Sequence, residues 1–256
     1  VEYNPKKEMI ITVGGSEGID IALRAMLDRD DEVLIPQPSY VSYEPCTILA
    51  GGKPVIIELK AEDGFKLKAS QILEKVTDKT KILILPFPNN PTGSILNMDE
   101  LREIAKVCIE KDLYVISDEI YCELTYEGEH ASIVQIEGMK ERTVLINGFS
   151  KSYAMTGWRL GYATGPKEII SQMTKIHQYA IMCAPTTSQY AAVEALAHGD
   201  ADVARMRESY NQRRRYLLHR FEELGMTCFE PQGAFYVFPS IKRFGMSSEE
   251  FATRLL

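Results

Sequence analysis

Cysteine is sparse in this chain, and no two cysteines are close in sequence. Cys46, Cys108, Cys122, Cys183 and Cys228 are scattered and odd in number, which excludes the tight spacing of a zinc or dithiol site and argues against a disulfide framework. They are expected to be buried reduced thiols, with no metal site among them. No apolar run approaches the roughly 18 residues that span a bilayer, and no basic-then-apolar leader opens the chain. A cytosolic protein without a membrane partner is therefore expected. Positive charge is also in deficit, with 29 Lys and Arg against 36 Asp and Glu and a formal net charge of -7. That balance disfavours a surface for the nucleic-acid backbone, and the cationic neighbours Arg213, Arg214 and Arg215 fall in a stretch of helical pattern. Internal repeats and low-complexity tracts are absent as well, which excludes solenoids and arrays.

What remains is an ordinary globular composition, 45% hydrophobic and 25% charged over 256 residues, enough for one sizeable core and a smaller second unit. Short runs of Val, Ile and Leu alternate with longer amphipathic segments, the pattern of a largely parallel sheet covered by helices. Strands are predicted at 10–13, 32–36, 54–58, 81–87, 113–117, 143–147 and 159–164. Helices are predicted at 16–27, 40–49, 70–76, 98–110, 167–179 and 189–198, followed by a long one at about 203–224. Asn97 with Glu100 three positions on reads as a capping box. A second unit is expected to begin after residue 224, with a turn feeding a strand at 231–238 and a helix capped by Ser247.

Five short motifs sit where predicted strands end. Gly14-Gly15-Ser16-Glu17-Gly18 joins a strand to a helix, where free N–H groups attract a phosphate, although taken alone the motif reads first as a tight turn with Ser16 as helix cap. Pro38-Ser39-Tyr40 places an aromatic ring at the next strand end, where ligands of open α/β sheets gather. In Pro88-Asn89-Asn90-Pro91-Thr92-Gly93, Pro91 restrains Asn90, or the string is simply a turn. Asp118, in Ser117-Asp118-Glu119-Ile120-Tyr121, ends a buried strand and so needs a cation or hydrogen-bond donors, unless it caps a helix. Finally, Lys151 follows a strand in the stretch from Asn147 to Gly161, with Arg159 eight positions later. A lone lysine is usually a solvated surface charge, but this stretch is too apolar for that.

In order and spacing, these motifs together with Pro231-Gln232-Gly233-Ala234-Phe235-Tyr236 resemble the class I and II aminotransferases, within the fold-type I enzymes of pyridoxal 5'-phosphate (PLP), and the stretch 151–162 resembles the aspartate and aromatic members. The resemblance covers essentially the whole chain. It implies a three-layer α/β sandwich with a mostly parallel central sheet over residues 1–224, its connecting helix starting at about 200, and the beginning of a small α+β domain over 225–256. It also implies a homodimer, and an amino acid and a 2-oxo acid as substrates exchanging an amino group.

The resemblance assigns roles residue by residue. Lys151 would form the Schiff base with the cofactor and move the substrate's α-proton. Asp118 would keep the ring nitrogen protonated, Asn90 and Tyr121 would donate to the ring oxygen, and Tyr40 would stack on the ring. Gly15, Ser16 and Arg159 would hold the phosphate. Where many relatives carry a phosphate-binding serine three residues before the lysine, this sequence has Gly148, and Ser150 is the candidate replacement. The arginine that grips the substrate carboxylate and the N-terminal arm of the family are expected outside these residues, so an internal fragment lacking both ends is expected. The alternatives are a C–S β-lyase of the same fold, or a PLP-sensing domain of a transcription regulator.

Overall fold

Strands covered on both faces need near-continuous apolar runs, and seven such runs form a single sheet in the computed structural model, which describes residues 1–256. They are β1 (Met9–Thr12), β2 (Glu32–Gln37), β3 (Lys53–Glu58), β4 (Thr80–Leu85), β5 (Tyr114–Asp118), β6 (Thr143–Gly148) and β7 (Gly161–Thr164), ordered β1-β7-β6-β5-β4-β2-β3. Pairing is parallel from β6 through β3, whereas β7 runs antiparallel to both of its neighbours, β1 and β6.

The helices are α1 (Gly14–Met26), α2 (Tyr43–Leu49), α3 (Ala69–Lys75), α4 (Met98–Glu110), α5 (Lys167–Ala180), α6 (Thr186–His198), α7 (Asp200–Glu223) and α8 (Ser248–Leu255). Side chains of a strand alternate between its faces. In β4, Leu83 and Leu85 pack with Ile72 of α3 and with Leu101, Ile104 and Cys108 of α4. Ile82 and Ile84 point the other way, into a core with Ile19 and Leu23 of α1 and Ile170 and Met173 of α5. The sheet is thus the middle of three layers. Helix α6 joins through Ala192, which packs with Phe149, Met155 and Leu160 around the turn that carries Lys151.

The seven strands predicted before residue 165 and the predicted helices are present, with ends shifted by a few residues, and the caps at α4 and α8 hold. Asn97 Oδ1 accepts the N–H of Glu100 at 2.9 Å while Glu100 accepts that of Asn97 at 2.8 Å, and Ser247 Oγ accepts the N–H of Glu250 at 3.1 Å. Three expectations need correction. Ser16 is not the cap of α1, because the helix begins two residues earlier and its N-cap is Val13. Residues 231–238 form no strand, since a strand needs a row of partners and this segment makes only the single bridge Thr125–Gly233. The five cysteines are all free thiols, but only Cys108 is buried and Cys183 is exposed.

Candidate active site

In a parallel sheet the carboxyl ends of all strands share one edge, and loops leaving them can converge there. Strands β1, β2, β4, β5 and β6 deliver the start of α1, Tyr40, the loop with Asn90, Asp118 and the Lys151 turn to that edge. Because β7 runs the opposite way, its beginning lies at this edge too and brings Arg159. The result is one cavity of about 230 Å³ whose wall includes Gly15, Ser16, Tyr40, Asn90, Asp118, Tyr121, Ser150, Lys151 and Arg159. Every site residue expected from the sequence is therefore gathered in one place.

At one end the cavity is built for an anion. The first N–H groups of α1 have no helical acceptor and carry the positive end of the helix dipole. Gly14 has φ +74°, and a Cβ there would come within 2.5 Å of Arg159 Nη2. A Cβ on Gly161 would meet the backbone of Gly14 and Gly15 at 2.7 Å. These glycines let the guanidinium and the helix start approach each other. Arg159 itself adopts a left-handed backbone, φ 51°, and donates to the carbonyl of Thr156 at 2.9 Å, so its charge meets no carboxylate. Gly148 is equally constrained: a Cβ there would lie 2.8 Å from Gly161 Cα. A serine in its place has no room, whereas Ser150 is buried and lines the cavity.

Another part of the lining is acidic. Asp118 is buried, and its partners are donors rather than a cation: the Tyr43 hydroxyl at 2.7 Å and the Ile120 N–H at 3.2 Å. Desolvation raises its pKa above the ordinary carboxylate value, and the two hydrogen bonds only partly oppose this. The same burial, with Asp118 beside it, pushes the Tyr43 phenol well above its usual range. A cation placed against Asp118 would hold it ionised.

The lining also includes aromatic side chains. Tyr121 and Tyr236 share a hydroxyl–hydroxyl hydrogen bond of 2.6 Å, and burial, followed by that bond, raises the Tyr121 pKa. Lys151 Nζ lies 6.0 Å from the Tyr121 ring centroid and 5.6 Å from that of Phe235. The loop carrying Asn90 is held by its buried neighbour Asn89, whose Oδ1 accepts from Thr92 N–H at 3.1 Å and from Thr92 Oγ1 at 2.8 Å. Sequence reasoning missed Tyr43, Asn89, Thr156 and Tyr236 as site-forming residues. Asn89 and Tyr236 lay inside quoted motifs, and Tyr43 follows Tyr40 by three positions, so spacing was the available signal.

The residues present fit PLP: an anion cradle for its phosphate, a carboxylate for its ring nitrogen, an amine for its aldehyde and an aromatic side chain for its ring face. No cluster of His, Cys, Asp or Glu suitable for a metal ion is found, and no helix is long and apolar enough to cross a membrane.

The sequence model of the family "Aminotransferase class I and II" matches residues 1–256. A putative aminotransferase, YugH of Bacillus subtilis (strain 168), is 50% identical over 256 residues, covering 100% of this chain and 66% of the relative. A probable N-acetyl-LL-diaminopimelate aminotransferase of the same organism is 46% identical over 254 residues, covering 99% of this chain and 64% of the relative. Among solved structures, the aromatic aminotransferase from Pyrococcus horikoshii OT3 superposes with a TM-score of 0.96 at 44% identity, covering 98% of this chain and 68% of that one. The chain spans about two thirds of the length of these proteins.

Proposed function

The chain belongs to the class I and II aminotransferase family, and from that premise we propose that its cavity binds PLP and that the protein moves an amino group between an amino acid and a 2-oxo acid. The observation that carries this reading is the convergence of Lys151, Asp118, Tyr121, Asn90, Arg159 and the start of α1 on one cavity. PLP supplies an aldehyde that condenses with amines and a ring that draws electrons from the substrate's α-carbon.

The chain's own residues do the rest. Lys151 would hold the cofactor through its amine and, with that amine free, would take and return the α-proton as base and acid. Asp118 would hold a proton on the ring nitrogen, a cation that would in turn stabilise the buried carboxylate. Tyr121 and Asn90 would donate to the ring oxygen while Tyr40 would pack on the ring. The Gly15 and Ser16 N–H groups, Ser150 and Arg159 hold the phosphate. The two relatives named for specific substrates take different ones, so the side-chain preference is not inherited with the family. We further propose that residues 1–224 form the cofactor-binding unit and 225–256 the beginning of a second, that two copies associate, and that the free thiols belong in a reducing cytoplasm.

The test is a visible spectrum of the complete protein with PLP before and after borohydride. Wild type is expected to show a bound band and a reducible link at Lys151, and Lys151→Ala to lose both. A wild type lacking either would sink the reading. Supplying a cysteine conjugate separates the β-lyase alternative, which releases the thiol, ammonia and pyruvate, from transfer of the nitrogen to an added 2-oxo acid.

A further inference from the structure

Arg214 lies on the long helix α7, outside the cavity, yet it is 8% exposed. A guanidinium taken out of water needs several acceptors, and Arg214 gathers them from two separate segments. Its Nη1 donates to Pro231 O at 2.7 Å, both terminal nitrogens reach Glu127 Oε1 at 3.2 Å, and Nη1 lies 3.4 Å from Glu230 Oε1. The guanidinium also lies 5.2 Å from the centroid of the Tyr126 ring.

Both segments continue into the cavity wall. Tyr126 N–H donates to Gln232 O at 2.9 Å, and the Tyr126 hydroxyl donates to Ala234 O. One helical turn before Arg214, Tyr210 packs on Phe235 with ring centroids 5.3 Å apart. The same face of α7 thus holds the segment 230–236 at both ends. Beyond these contacts come Phe235, near Lys151, and Tyr236, hydrogen-bonded to Tyr121.

We propose that Arg214 is a positioning residue: it fixes the depth of the segment 230–236, so that the Tyr236 hydroxyl meets that of Tyr121 and sets how Tyr121 is hydrogen-bonded toward the bound cofactor. The proposal rests on the reading that PLP occupies the cavity. A merely structural strut would affect stability alone. A positioning residue also changes the environment of the cofactor through Tyr236.

The experiment uses the complete PLP-loaded protein and reads the ratio of the cofactor's two absorption bands at a fixed pH, beside the thermal midpoint. Tyr236→Phe removes one hydrogen bond to Tyr121 and is expected to change the ratio about threefold, the worth of one net hydrogen bond. Arg214→Met is expected to change it in the same direction, with no further change in the double variant, because both act on one contact. Arg214→Lys keeps the charge but lacks the fork that spans Pro231, Glu127 and Glu230, so an intermediate change is expected, and this variant serves if Arg214→Met does not fold. A lowered thermal midpoint with an unchanged ratio in the folded Arg214 variants, while Tyr236→Phe shifts it, overturns the proposal. A wild type without bound bands overturns the reading beneath it instead.

Discussion

Asp118 is a carboxylate at the end of a core strand with a phenol and one amide N–H as partners, so the cofactor-free fold resists its charge. Its folded pKa is raised above the ordinary 3.8, chiefly by desolvation. The sign follows from linkage: a group whose pKa is raised by folding contributes stability that is fully present below its unfolded pKa and is lost as pH rises through the folded value. Asp118→Asn keeps an acceptor for Tyr43 and has no charge to bury. In cofactor-free protein the variant is therefore expected to gain in thermal midpoint relative to wild type as pH is taken from about 4 to about 8. Melts of both proteins across that range check it, and a constant difference would contradict it. On the role proposed for Asp118, the order reverses with PLP at neutral pH, because the variant would not hold the ring-nitrogen proton and would bind the cofactor more weakly. That Asp118 needs a partner was legible from its place after an apolar run. That the partner is Tyr43 was not, because the hydrogen bond joins positions 75 apart, and the Tyr121–Tyr236 bond joins positions 115 apart.

Among elements, the seven strands and the helices around them were legible because periodicity is local, and only their ends moved. The ends are where tertiary contacts decide. Helix α1 starts at Gly14 instead of Ser16 because the positive φ of Gly14 and the closeness of Arg159 set that turn. The expectation of a strand at 159–164 held only from Gly161, since Arg159 takes a left-handed conformation to reach the cavity. Gly148 shows the same limit. Sequence marks it as a missing serine, whereas the structure pairs Gly148 with Gly161 across β6 and β7, where a side chain would meet the Gly161 Cα and the Leu160 carbonyl. Gly148→Ser is accordingly expected to weaken cofactor binding and to cost about 1–3 kcal/mol of stability, the usual penalty for overfilling a packed site. A thermal melt with a PLP titration measures both, and tighter binding at unchanged stability would show that the Gly148–Gly161 pair can give way.

At the scale of the whole molecule, helix α6 is the element that a single chain leaves unsatisfied. It carries one carboxylate, Glu194, and is otherwise apolar or uncharged over most of its surface, a composition expected of a helix covered on all sides. Yet only Ser188 and Ala192 are buried. Tyr190 and Val193 are 74% and 65% exposed, and Tyr179 and Met182, in the approach from α5, are 90% and 81% exposed. Isolated exposed apolar residues are ordinary, but a run of them on neighbouring segments marks a contact surface. Its inner face packs on Phe149 and Met155, beside Lys151, so a second copy docked on the outer face would brace the cofactor turn of the first. Association of two copies through α6 predicts a dimer of the complete protein in sedimentation velocity at micromolar concentration. Tyr190→Glu would place a charge at the centre of that surface and is expected to shift the population to monomer, because a buried aromatic anchor commonly carries much of an interface's energy. A monomeric wild type would refute the association itself, whereas a dimeric Tyr190→Glu would move the contact to another face. If the coupling to the cofactor turn is real, the monomeric variant also loses PLP affinity, although Tyr190 does not line the cavity.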